Sequence, residues 1–169
     1  MLIAIFALGP AFIDKRFNSV GNSSLPAVSA ESDSLHQSLM IVDLHADSLL
    51  WGRDLSQLSD YGHVDVPRLI QGNVALQIFT SVTKVPTPLL LEDNSADSDN
   101  VIKLAILQLW PIPTWFSLAE RALYHAKQLT ALERKASGQF SIIRTQEDLA
   151  TYLTQRETNP QTTAGLLGI

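Results

Sequence analysis

Cysteine is absent from all 169 residues, which removes disulfide frameworks, thiolate zinc sites and cysteine nucleophiles together. Any metal must therefore sit on His, Asp or Glu. Positive charge is also scarce. Lys and Arg total 12 against 17 Asp and Glu, for a net charge of −5, and neutralising phosphates needs a clustered basic surface. Nucleic acid is excluded as an expected partner. No Gly-rich phosphate loop, nucleotide fingerprint or Ser/His/Asp triad order is visible. What remains is ordinary for a globular chain, 46% apolar and 17% charged, long enough for one domain with a real core.

Residues 1–13 carry no charge and include Leu2, Ile3, Ile5, Phe6, Leu8, Phe12 and Ile13 before the abrupt Asp14-Lys15-Arg16. The run is shorter than the roughly 20 residues that span a bilayer as a helix, and it lacks the basic start of a signal peptide. A truncated membrane anchor, a degenerate signal and a buried helix all fit it. Membrane association through residues 1–13 therefore stands as an expectation, and the compartment stays open. Three stretches follow from composition. Residues 1–17 form a hydrophobic N-terminal segment, 18–39 a Ser-rich linker ending in a short helix around Val28 to Leu39, and 40–169 the folded domain.

Within that domain, Met40 to Leu44 and Val74 to Val82 read as buried strands, with Gly72-Asn73 introducing the second. Ser48 to Leu58 reads as a helix and the stretch around Gly62 and Pro67 as a loop. Asn100 to Ala136 is helical on both sides of a break at Trp110-Pro111-Ile112-Pro113. After the break, Trp115, Leu118, Ala119, Ala122, Leu123, Ala126, Leu129 and Leu132 recur at helical spacing as one apolar stripe. Phe140 to Arg144 gives a short strand. Thr145 caps a further helix with Asp148 at its third position, and Ala164 to Ile169 has the small apolar composition of a buried parallel strand. Strands alternating with helices predict an α/β fold with a parallel sheet.

The chemistry concentrates in Val42-Asp43-Leu44-His45-Ala46-Asp47. Side chains two apart on an extended backbone point the same way, so His45 and Asp47 share a face. An imidazole and a carboxylate converging at the end of a buried strand suit zinc or a similar divalent ion. Asp43 lies one step deeper, either orienting a ligand from behind or sitting as a hydrogen-bonded polar residue. Short triplets arise by chance, and a second His-x-Asp stands at His63-Val64-Asp65, read here as a loop element. Trp51 is a candidate for lining a substrate pocket near the metal, against the alternative of core packing. His125 reads as a surface or interface histidine, His36 as solvated, Arg68 as a salt-bridging loop residue. Glu92, Asp93, Asp97 and Asp99 read as a solvated acidic loop.

Three ordered blocks resemble the membrane (renal) dipeptidase family. Ile41-Val42-Asp43-Leu44-His45-Ala46-Asp47-Ser48-Leu49-Leu50-Trp51 is similar to the family's opening strand. His63-Val64-Asp65-Val66-Pro67-Arg68-Leu69 with Gly72 to Phe79 is similar to its next loop and strand. Ala164-Gly165-Leu166-Leu167-Gly168-Ile169 resembles the strand that runs into its metal-bridging glutamate. The resemblance implies the N-terminal part of a (β/α)8 TIM barrel, incomplete, with a two-zinc centre at the strand ends and hydrolysis of a dipeptide's peptide bond. It assigns His45 and Asp47 to the first metal. No catalytic residue falls within the chain on this reading: the bridging glutamate would follow Ile169, with two histidines and the substrate-binding residues later still. This chain alone is then expected to be inactive, and to aggregate or to need a partner, an oligomer included, to cover its open sheet edge. Ala46 and Ser48-Leu49 depart from the renal pattern, which points to bacterial-type relatives and leaves substrate preference open. The rival expectations are a noncatalytic barrel-derived or membrane-associated interaction protein, and a related barrel hydrolase with another amide substrate.

Overall fold

The computed structural model describes residues 2–21 and 26–169; residues 22–25 of the Ser-rich linker lie outside the described residues. The chain runs α1 (Leu2–Phe17), α2 (Ala30–Ser38), β1 (Ile41–Ala46), α3 (Val66–Gln71), β2 (Val74–Thr80), α4 (Val101–Leu107), α5 (Leu118–Lys135), β3 (Phe140–Ile142), α6 (Gln146–Thr158) and β4 (Thr163–Gly168). The four strands pair in parallel in the order β1-β2-β4-β3, so the fold is α/β as the alternation predicts. The last strand in sequence is inserted between the second and third, which places β1 and β3 at the two edges.

β2 shows why the sheet has two unlike faces. Ala75, Gln77 and Phe79 are buried while Val74, Leu76, Ile78 and Thr80 are half-open, the strict alternation of a strand covered more fully on one side. On the covered side Phe79 packs with Leu49, Val66 and Leu69, with Leu129 and Leu132 of α5, and with Phe140. Phe79 and Phe140 meet edge to face at 5.9 Å. Gly165 of β4 lies under that pair. A Cβ there would come within 2.4 Å of the Phe140 ring, so only glycine lets the two rings close over the strand. A second cluster joins Val101, Ala105 and Trp110 to Leu50, Val82 and Tyr124, and a third joins Tyr152 of α6 to Ile143 and Ala164.

Local signals set several boundaries. Thr145 and Asp148 form a reciprocal capping box at the start of α6, as their spacing predicts. Pro111 and Pro113 break the helical run, leaving a single 3₁₀ turn over Ile112–Trp115 between α4 and α5. Asn73 takes a left-handed φ of 54° just past Gly72, and its side chain amide donates to the carbonyls of His36, Gln37 and Leu39. That turn ties the end of α2 to the start of β2, while Arg156 of α6 donates to Asn73 Oδ1 at 2.7 Å.

Three expectations are corrected. Ser48 to Leu58 is not a helix: a 3₁₀ turn ends at Leu50, and Trp51-Gly52 leads into irregular chain. The stretch around Pro67 is not a loop but α3. Asp65 caps it by accepting from Arg68 N, and Pro67 takes an early helical position where its missing N–H has no helical partner to lose. The inner stripe of α5 runs through Arg121, His125, Leu129 and Leu132, whereas Leu118 and Leu123 are exposed. Arg121 can be buried because Thr83, Thr114 and Trp115 offer carbonyls and Asp99 a carboxylate to its guanidinium.

The N-terminal segment forms a helix packed on the domain. The Phe17 and Trp51 rings stack at 6.1 Å, Asp14 pairs with Arg53, and Gly9 sits against Leu107 of α4.

Candidate functional site

Parallel pairing brings the C-terminal ends of β1, β2 and β4 to one edge of the sheet. His45, Asp47, Thr80, Ser81 and Gly168 line a cleft of about 560 Å³ there, on the half-open face that carries Ile78 and Thr80. His45 Nε2 lies 3.2 Å from Asp47 Oδ1, and both side chains are substantially exposed. The same Oδ1 accepts from the Thr80 hydroxyl. Asp43 is exposed and accepts from the backbone N–H of His45 at 3.0 Å, which fixes the strand end rather than the imidazole.

The donor separation can be set against what a metal requires. Two ligands at roughly 2.0–2.2 Å from a tetrahedral zinc stand about 3.3 Å apart. The observed 3.2 Å fits adjacent positions on one ion. It fits a direct His–Asp contact equally well. Among the described residues no group of three or more His, Cys, Asp or Glu is placed to hold a metal ion. The pair by itself leaves most of a coordination sphere to other donors.

Behind the cleft sits His125, expected at the surface or an interface and found wholly buried within the domain. Its Nδ1 lies 2.9 Å from the Ser81 hydroxyl, its ring meets Trp110 edge to face at 5.2 Å, and among the described residues its Nε2 has no hydrogen-bond partner. Burial first, and the Arg121 charge second, push its pKa down to about 4 against a small upward pull from Asp47. The imidazole is neutral at pH 7. Sequence spacing could not show this, because the pocket around His125 is assembled from the end of β2 and from Trp110.

The other candidates disperse. Trp51 is not among the residues lining the His45 and Asp47 cleft; it stacks on Phe17 beside α1 and α4. His63 sits in the loop before α3 while Asp65 caps that helix and pairs with Arg68, so the second His-x-Asp is spent on structure. His36 is half-buried, with Nε2 3.0 Å from the Gly72 carbonyl, not solvated. Asp99 leaves the acidic loop to pair with Arg121. Thr80 and Ser81 are what the sequence reading missed. The signal was present in their position at the end of a strand parallel to β1.

No family model, curated protein or solved structure matches this chain.

Proposed function

We propose that this chain carries the first metal-binding pair of a zinc-dependent dipeptidase built on the opening strands of a (β/α)8 barrel. The observation that carries the reading is the His45 and Asp47 pair, 3.2 Å apart at the C-terminal edge of a parallel sheet, where barrel enzymes hold their sites. On this reading β1, β2 and β4 are successive barrel strands, their half-open face is the barrel interior, and β3 is a short flanking strand. The order β1-β2-β4-β3 requires that last step, since successive barrel strands would otherwise follow the chain.

The role of each residue follows from its chemistry. His45 Nε2 and Asp47 Oδ1 offer one borderline and one hard donor to the same ion. Thr80 donates to Asp47 Oδ1, holding the carboxylate toward His45. Zinc, when bound, supplies Lewis acidity and a water made nucleophilic near neutral pH for attack on a peptide carbonyl. In the resembled family a bridging glutamate and two histidines complete such a centre with a second zinc.

A noncatalytic interaction protein is the second reading. It draws on the absence, among the described residues, of a third donor near the pair.

Zinc titration of the purified chain, alongside His45→Ala and Asp47→Ala, separates the two. The metal reading expects saturable binding of one ion that both substitutions abolish. Binding that is absent, or unchanged in both variants, leaves only the noncatalytic reading. Dipeptide turnover that depends on His45 would uphold the peptidase.

A further inference from the structure

The outer face of α1 is built in a way the domain itself does not explain. Ala4, Ile5, Ala7, Leu8, Ala11 and Phe12 fall on one side of the helix and are all exposed, Leu8 at 69% and Phe12 at 70%. That side carries no polar side chain over more than two turns. The opposite side is committed to the domain through Gly9 against Leu107, buried Asp14 against Arg53, and Phe17 stacked on Trp51. A helix lying on a domain in water ordinarily turns polar residues outward, and one apolar all round is covered on all sides. Here the covering is missing on one side only. The charge pattern says what fits there: the first turn has no acid, and the helix ends on exposed Lys15 and Arg16, Lys15 lying 3.1 Å from the Asp60 carboxylate.

We infer that α1 is a membrane-surface docking helix, its Ile5, Leu8 and Phe12 face entering the headgroup–acyl boundary while Arg16 meets anionic lipid headgroups. The helix lies in the plane of the interface. Its 16 residues extend about 24 Å, and no helix among the described residues is long and apolar enough to cross a membrane. Apolar insertion acts on any bilayer, and Arg16 adds preference for negative lipid. Because Asp14 and Phe17 fix α1 to the domain, docking would hold the whole sheet against the membrane. Neither metal nor peptide is involved, so failure here leaves the metal pair untouched, and the reverse holds.

The test is vesicle flotation of the full chain at low and high salt. One set of vesicles is phosphatidylcholine alone, the other phosphatidylcholine mixed with phosphatidylglycerol. The chain is expected to float with both, more strongly with the mixture, and to lose that preference in salt. Leu8→Asp and Phe12→Asp should each weaken binding to both compositions by at least about tenfold. Arg16→Glu should weaken binding to the mixture alone by roughly tenfold. All three side chains are exposed, so circular dichroism and the unfolding midpoint are expected to stay at wild-type values. A wild-type chain that floats with neither composition, or variants that float as well as wild type, would overturn the proposal. So would a lipid-independent dimer in sedimentation that Phe12→Asp dissociates, because a second copy would then be the cover.

Discussion

Arg53 Nη1 lies 3.2 Å from Asp14 Oδ1, and both side chains are more than nine-tenths buried, one on the N-terminal helix and the other just past the β1 end. Asn18 donates to the same oxygen at 2.8 Å. Burial nevertheless pushes the Asp14 carboxyl above its ordinary pKa, against the pull of Arg53 and of the Asn18 amide. The pair is a docking contact held against its own desolvation.

Removing one partner strands the other. Arg53→Ala leaves Asp14 buried without its cation and is expected to destabilise the fold by about 3–5 kcal/mol in urea unfolding. Asp14→Ala with Arg53→Ala should cost much less than the two single changes added, because the double variant strands no charge. Limited proteolysis should cut the single Arg53 variant first at residues 18–21. Additive costs would show that the two groups do not act as a pair.

His125 sets a pH dependence with a defined sign. Its folded pKa near 4 lies below the ordinary 6.5, so the unfolded chain binds the proton more readily. Stability from this group is whole above pH 6.5 and falls as pH drops toward 4, by about 3 kcal/mol over that window. His125→Gln keeps a partner for the Ser81 hydroxyl but cannot titrate. Urea unfolding at pH 7 and pH 4.5 should show the wild type losing more stability than this variant. Equal losses would rule out His125 as the titrating group.

Gly165 tests the packing of the sheet. Its missing Cβ leaves the space into which Phe140 and Phe79 close, so Gly165→Ala must push a ring aside. A cost of about 1–3 kcal/mol is expected. Phe140→Leu in the same chain should recover part of it, because the clash is with the end of that ring. An alanine variant as stable as wild type would mean that the rings shift freely.

What the sequence revealed and what it hid divide along the range of the interactions. β2 alternates, the α6 capping box forms and the two prolines break the helical run because each is decided within a few residues. The closeness of His45 to Asp47, 3.2 Å across the end of β1, follows in the same way from neighbours two apart. His125 reads as a surface or interface histidine and the burial of Arg121 carries no local signal, because their partners Ser81, Thr83, Asp99 and Thr114 are all distant in sequence or across a turn. The insertion of β4 between β2 and β3 is likewise a long-range choice, made where Gly165 admits Phe140. Asp14 marked the end of an apolar run in sequence, and only the fold shows its partner in Arg53.

Thr80 offers the sharpest check on the metal reading, because its hydroxyl donates to the Asp47 oxygen that faces His45. If that oxygen binds zinc, the hydroxyl fixes the carboxylate's orientation, and losing such a contact lowers metal affinity by about tenfold or more. Thr80→Val keeps the β-branched shape at the end of β2 and removes only the donor, so zinc affinity should fall while unfolding changes little. Thr80→Ser restores the donor and should restore most of the affinity. If Asp47 instead serves only as a partner for His45, the valine variant binds whatever zinc the wild type binds, with the same affinity. Parallel zinc titrations of the three chains, with the urea midpoint of each as control, decide between these outcomes.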